Sequence, residues 1–345
     1  MKRTSTAAIA ISCLSFGCAP VNSNIPKVFA TGETEPVGSL DDAADDPAIW
    51  INPVDAQASL ILGTDKRAGL YVYNLDGDVQ QFLEVGRVNN VDLRQNVKIG
   101  EWSGDVAAAS NRTGDVVTLF TITDGVVSHS GSFQSGIAEP YGVCMGAVGE
   151  DVFVFVTHKT GEVVVYQLTG VDRASEVHRL SFESQLEGCV YDDEMSTLYI
   201  GEENRGIWKS SYSGGDFTTP SLVDVIGAES GLKADVEGLA LYKSGPESGY
   251  LIASSQGNNS YALYRREGDN AFVTRFAVAS RAEVDGAEET DGIEASSVNL
   301  GPNFPNGILV VQDGYNAPKG SAQNFKIVDW RDVERLIAQS ADTEN

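Results

Sequence analysis

The chain has 345 residues, enough for a large buried core, and carries 49 acidic against 24 basic side chains, giving a net charge of −25 and an isoelectric point near 4.3. That balance excludes nucleic acid and anionic membrane surfaces as partners, since both demand clustered Lys and Arg. An acidic, solubilising surface accounts for many of these side chains, but not for acids that recur at a fixed interval.

In chain order, Lys2 and Arg3 precede a short apolar stretch, AAIAISCLSFG, which reads as an export signal too short to span a bilayer. Leu14–Cys18 resembles a bacterial lipoprotein cleavage site, so residues 1–18 are expected to be a signal peptide. Export then ends either in a lipid anchor at Cys18 in the cell envelope or in free secretion. The anchor would be the only membrane contact. Residues 19–36 are polar and Pro-containing, a tether leading into the first strand.

From about residue 40 to 330, short Val, Ile, Tyr and Phe runs alternate with Gly, Asp, Asn and Ser turns, including an Asp-Gly hairpin signal in TITDGVV at 121–127. Six segments repeat one pattern, opening at Asp46, Asp92, Tyr141, Glu187, Glu237 and Asp291, at spacings of 46, 49, 46, 50 and 54 residues. Each is followed by a β-rich run with a polar end, such as LILGTDK or LYIGEEN, and then by a third apolar run. A period near fifty residues with several strands per repeat predicts an all-β, six-bladed β-propeller of four-stranded antiparallel blades spanning 37–340. RDVERLIAQ at 331–339 carries Val333, Leu336 and Ile337 on one face and predicts a short C-terminal helix. Cys144 and Cys189 occupy like positions in neighbouring repeats. They are either a disulfide, as export permits, or two buried thiols.

In a propeller the start of each inner strand and the end of the antiparallel second strand lie on one face. This places the six openings together with Lys66, Arg67, Arg112, Lys159, Glu202, Glu203, Gln256, Asn258 and Asp313 around one mouth. Blades one to three supply mostly bases and blades four to six mostly acids. Clustered carboxylates repel, and a bound cation relieves them. An all-oxygen donor set, with only His129, His158 and His178 in the chain and no zinc-ligand spacing, points to Ca²⁺. The basic half suits phosphate. The alternative is a set of salt bridges across the channel.

The same positions carry a family signature. Asp42–Trp50 (DAADDPAIW) and Asn89–Arg94 (NNVDLR) resemble the two signatures of the β-propeller phytases, the alkaline, calcium-dependent phytases of bacteria. Further agreement comes from AAASNR (107–112), YG (141–142), EG (187–188), LYIGEE (198–203), VEGL (236–239), SSQGNNSY (254–261), TDGI (290–293) and QNFK (323–326), so the likeness runs from about 33 to 335. It implies hydrolysis of phytate, myo-inositol hexakisphosphate, to lower inositol phosphates with several calcium ions. It implies catalytic roles for Lys66, Arg112, Tyr141, Lys159, Glu187 and Glu237, and substrate phosphates held by Lys66, Arg67, Arg112, Tyr141 and Lys159. The metal ligands it implies are Asp46, Glu187, Glu203, Glu237, Asp291 and Asp313, with Asp45 a further candidate. Departures from the family pattern are Gln95 for Tyr, Arg67 for a second Lys, and Thr160 for an acid. The last two flank the second phosphate site and bear on affinity and isomer preference.

The expected enzyme is thus a monomeric phytase of the 3-phytase type, acting on phytate or its calcium salt by attack of metal-bound water. No Ser nucleophile elbow, Cys phosphatase loop or Arg-His-Gly motif supports a covalent intermediate. The alternatives are a calcium-dependent propeller lactonase or esterase, which needs no basic half, and a non-catalytic surface binding propeller.

Overall fold

The computed structural model of the chain describes residues 25–343 apart from 319; the signal region and Cys18 lie outside the described residues. Six antiparallel sheets follow one another around a channel, as the repeat predicts. Blade one comprises Ala44–Trp50, Leu60–Asp65, Gly69–Asn74 and Val79–Leu83, and blade two Val88–Ile99, Trp102–Asn111, Val116–Thr123 and Val126–Gln134. Blade three is Val143–Val148, Asp151–Thr157, Glu162–Gly170 and Arg173–Ser181. Blade four is Leu186–Asp192, Thr197–Glu202, Gly206–Ser213 and Ser221–Val225, with the short Asp216–Phe217 beside its third strand. Blade five is Val236–Gly245, Ser248–Ser255, Ser260–Arg265 and Phe272–Ala279.

Blade six closes the ring. Ile293–Ser296, Ile308–Asp313 and Asn324–Asp329 come from the end of the chain, and the outermost strand, Gly32–Glu33, from its beginning. Lys27–Phe29 adds a parallel strand to the edge of blade five. Residues 27–33, read from sequence as tether and first strand, are therefore woven into two blades. They cover edges that would otherwise be open to pairing with another chain.

The burial pattern explains why the sequence reads as it does. Second strands such as Leu60–Asp65 and Thr197–Glu202 are buried throughout because a neighbouring blade packs on each face, so they appear as continuous apolar runs. Outer strands such as Val79–Leu83 alternate between half-buried and exposed. The core lies between blades: Leu62, Val72 and Ala48 of blade one pack with Val91, Ala107 and Phe120 of blade two. Each of the Leu, Val and Phe side chains contributes about 1.5–3 kcal/mol by leaving water. The Asp124–Gly125 hairpin is present, with φ of 52° and 78°, the left-handed pair a tight two-residue turn requires. The helix Trp330–Thr343 is longer than its sequence signal; Trp330 stacks on Tyr242 at 3.7 Å and Val333 is buried, anchoring it across blades five and six.

Cys144 and Cys189 form a disulfide between the inner strands of blades three and four. A disulfide suits an oxidising compartment. No helix among the described residues is long and apolar enough to cross a membrane.

Candidate active site

The inner strands share a device that sequence alone does not reveal. In blades one, two, four and five the first paired residue is Ala44, Val88, Leu186 or Val236, and the register then shifts before pairing resumes at Pro47, Val91, Cys189 and Leu239. A bulge of this kind re-aims the side chains within it. By this register the residues that open toward the mouth are Asp45, Asn89, Glu187 and Glu237. Tyr141 and Asp291 precede the inner strands of blades three and six.

The next position sits against the following blade. A Cβ at Gly142 would lie 2.0 Å from the Glu187 carbonyl oxygen, and one at Gly188 2.0 Å from that of Glu237. Only glycine permits that approach. Second-strand hydroxyls tie the same seam: Thr157 Oγ1 donates to the Glu187 carbonyl at 2.6 Å, Ser254 Oγ to that of Thr290 at 2.9 Å, and Ser110 Oγ to that of Tyr141.

Two expected positions are displaced by this register. Asp46 stands in the glycine place of blade one. It is buried in the channel below the mouth, with Asn90, and accepts from Val91 N at 3.0 Å. Burial pushes its carboxyl well above the ordinary range, with Asp45 and Glu294 adding to the shift. Asp92 lies four residues into its strand and does not reach the mouth. It faces a separate cavity of about 350 Å³ on the far side, bonded to Met145 N at 2.7 Å and paired with Arg94 at 3.2 Å. Asp45 and Asn89 hold the mouth places that Asp46 and Asp92 were expected to fill.

The mouth contains two adjoining cavities. The larger, about 540 Å³, is lined by Asp42, Lys66, Tyr141, Glu187, Glu203, Glu237, Asp291 and neighbours. The smaller, about 370 Å³, is lined by Asp42, Lys66, Arg67, Arg87, Asn89, Arg112, Tyr141 and Lys159. Asp42, Lys66 and Tyr141 belong to both, so the acidic and basic halves read from the sequence are one continuous depression.

Carboxylate oxygens of Glu187, Glu203 and Glu237 all lie within 4.8 Å of one another, and all three side chains are buried. Glu237 Oε2 has no hydrogen-bond partner. Burial pushes the Glu237 carboxyl well up, with Glu187 and Asp291 adding repulsion; burial, then Glu187, lifts Glu203 to about 7. Glu187 is raised by burial and Asp45, Asp291 by burial against the pull of Lys66. A calcium ion takes oxygen ligands at about 2.3–2.6 Å, so ligands on opposite sides of it stand at most about 5 Å apart. The spacing, the oxygen-only chemistry and the unpartnered Glu237 oxygen all fit a hard divalent cation. Gln185 donates to Glu203, and Gln256 Nε2 donates to Asp291 Oδ1 at 2.6 Å, fixing the outer edge of the group.

Lys66 Nζ sits at the junction, 2.6 Å from Asp42, 2.7 Å from Asp45 and 3.3 Å from Asp291. Burial would lower its pKa, but these carboxylates outweigh burial and hold the ammonium charged. Tyr141 is pushed far up by burial and by Glu187 and Glu237, so its phenol stays protonated and can donate. Lys159 Nζ lies 3.9 Å from the centre of the Tyr141 ring and Arg112 at 5.9 Å, which stacks both cations on its face. Arg112 Nε is buried with no partner. Arg67 is half-exposed beside them, donating to the Asp42 carbonyl at 3.0 Å.

Asp313 stands apart from the carboxylate cluster. The buried Lys326 ammonium lies 3.2 Å from it and also contacts Glu33 and Asp285, so a lysine supplies the positive charge there. Burial still raises Asp313 to about 6. Its Oδ1 accepts from Glu288 N at 3.0 Å, which fixes the loop leading to Asp291.

A family model described as Phytase matches residues 3–345. The chain belongs to the phytase family. It is 40% identical over 340 residues to the 3-phytase of Bacillus subtilis strain 168, covering 92% of this chain and 87% of that one. Among solved structures, the β-propeller domain of Myceliophteria thermophila Cps50 (Swd1) aligns at 12% identity over 83% of each chain with a TM-score of 0.48. A functionally unknown protein from Desulfotomaculum acetoxidans aligns at 15% identity over 66% of this chain and 70% of that one, also at 0.48. As a phytase, this chain is an enzyme, a phosphoric monoester hydrolase.

Sequence reasoning missed Arg87 and Asp42 as lining residues and read Asn89 only as part of a motif. An exposed Arg between strands carries no periodic signal, and a search for carboxylates passes over an Asn.

Proposed function

We propose that this chain is a calcium-dependent phosphomonoesterase that removes phosphate from phytate and releases lower inositol phosphates. The observation that carries the reading is the junction of an acidic and a basic cavity through Lys66 and Tyr141. A substrate with several phosphates approaches a charge near −10, at roughly −1.5 to −2 for each monoester, and carboxylates alone would repel it. Glu187, Glu203, Glu237 and Asp291 are the proposed calcium ligands. Asp46, lower in the channel, and Asp313, beside Lys326, are outlying candidates. Bound there, calcium would neutralise the carboxylates, draw the phosphoryl oxygens in and activate water.

The chain's own groups do the rest. Arg112 is the proposed contact to the phosphate being cleaved. Its forked donors strengthen as charge gathers on the phosphoryl oxygens. Tyr141 donates its hydroxyl to the same phosphate. Lys66 bridges the two halves, and Lys159, with Arg67, holds a neighbouring phosphate as point and forked charges. Water attacks phosphorus, the phosphorus–oxygen ester bond breaks, and the inositol oxygen leaves as the alcohol, taking up the proton that the attacking water gives up. We further infer export, by free secretion or with a lipid anchor at Cys18, and a monomeric state. Phosphate release from calcium phytate, measured with and without excess chelator, tests the reading. Turnover that survives the chelator would refute calcium dependence, and no release under either condition would refute the substrate.

A further inference from the structure

Asn89 is completely buried and makes contacts to both halves of the mouth. Its Nδ2 donates to Asp45 Oδ2 at 2.6 Å and to Asn90 Oδ1 at 2.8 Å, and reaches Glu187 Oε1 at 3.1 Å. Its Oδ1 accepts from an Arg112 terminal nitrogen. The orientation of this amide is forced. A guanidinium only donates and a carboxylate only accepts, so the flipped amide would set NH₂ against Arg112 and C=O against Asp45 and Glu187. The bond from the Arg112 guanidinium to the buried amide is charge-assisted, a kind about twice as strong as a neutral one.

We propose that Asn89 is a positioning residue, resting on the function proposed above: it holds the Arg112 guanidinium at the angle that presents its remaining donors to substrate phosphate. Asn89 occupies one terminal nitrogen from behind. Arg112 lines the basic cavity, and its Nε, buried behind, makes no hydrogen bond to protein that would hold the guanidinium in place of Asn89. Because Arg112 projects from beyond its second strand while Asn89 sits in the inner-strand bulge next to Glu187, this one amide ties the phosphate-binding arm to the carboxylate group. An aspartate here would satisfy Arg112 but set a new charge against Asp45. An alanine would release both.

The test is a double-mutant cycle on the full mature chain with Asn89→Ala, Arg112→Ala and the pair. Steady-state kinetics on calcium phytate give kcat and KM, and calorimetry with inorganic sulfate gives anion affinity without turnover. Asn89→Ala should lower kcat by about tenfold or more and raise KM by about fivefold, because the lost alignment weakens the phosphate contact in the ground state and more so in the transition state. Sulfate should bind at least about fivefold more weakly, a loss of roughly 1 kcal/mol. In the Arg112→Ala background, Asn89→Ala should add less than about a further twofold loss. Multiplicative losses, or unchanged sulfate affinity in Asn89→Ala, would overturn the proposal. If Arg112→Ala alone keeps full activity, the reading of the basic half fails, and this inference with it. If Arg112→Ala is inactive while Asn89→Ala is normal, only this inference fails. Asn89→Ser, which is polar but too short to span Arg112 and Asp45, runs the same cycle should Asn89→Ala not fold.

Discussion

Replacing Glu237 by Gln keeps the side chain's shape and removes its charge. In the structure its carboxylate oxygens lie within 4.8 Å of those of Glu187 and Glu203. At that separation two unit charges repel by ~3.5 kcal/mol in an effective dielectric of about 20. The raised carboxyls share protons at neutral pH, so this figure is an upper bound on the repulsion. The substitution should therefore stabilise the protein in chelator, by roughly 2–4 °C in Tm for a chain of this size. Calcium should act in the opposite sense. At 100 times Kd it adds about 2.7 kcal/mol to the parent, or roughly 4 °C. The variant, short of a ligand, should gain less than about half of that. Phosphate release should fall at least about a hundredfold, or about 2.7 kcal/mol in the barrier. Thermal melts in chelator and in a calcium series, alongside turnover, give all three quantities. A variant that melts lower than the parent in chelator and keeps the full calcium increment would refute the reasoning, because Glu237 would then be neither repelled nor a ligand.

Other expectations follow from the same geometry. Glu203, lifted from the ordinary 4.5 to about 7 by burial and by Glu187, binds its proton more tightly folded than unfolded; the stability it contributes is present below pH 4.5 and lost as pH rises through 7. Discounted for screening by solvent in the adjoining cavity, that loss is about 1–2 kcal/mol. Chelator-treated protein should therefore destabilise across this window, and Glu203→Gln should flatten the slope in pH-dependent melts. Replacing Cys144 and Cys189 by Ala opens a loop with sequence separation 45. The loss should be about 4 kcal/mol, roughly 6 °C in Tm, and an unchanged melt would show the bond to be energetically idle. Arg112→Ala should chiefly depress kcat and Lys159→Ala chiefly raise KM. Full rescue of both by added calcium would show instead that they only balance acids.

The sequence showed the repeat, and hence the propeller, because blade cores need β-rich runs at a fixed period. It also showed the division of charge, because Lys66, Arg112 and Lys159 follow second strands while Glu187, Glu237 and Asp291 open first ones. The register of the mouth was not legible. A bulge leaves no mark in the alternation of apolar residues, so Asp46 and Asp92 were read as mouth positions where the backbone presents Asp45 and Asn89. The glycines after Tyr141, Glu187, Glu237 and Asp291 were the available signal: Asp46 and Asn90 align with glycine places rather than with anchors. Ring closure by Gly32–Glu33 was equally hidden, since a two-residue strand has no period to read. The ion pair of Asp313 with Lys326 was hidden as well, because the lysine lies on the next strand and meets it only across the sheet.

The most direct test of the whole account is a crystal structure of the chain grown with calcium and soaked with inorganic phosphate. The account predicts calcium density among Glu187, Glu203, Glu237 and Asp291, with a phosphate bridging it to Arg112 and the Tyr141 hydroxyl. Calcium bound only outside this mouth, or phosphate held with no contact to either Arg112 or the carboxylate group, would contradict it.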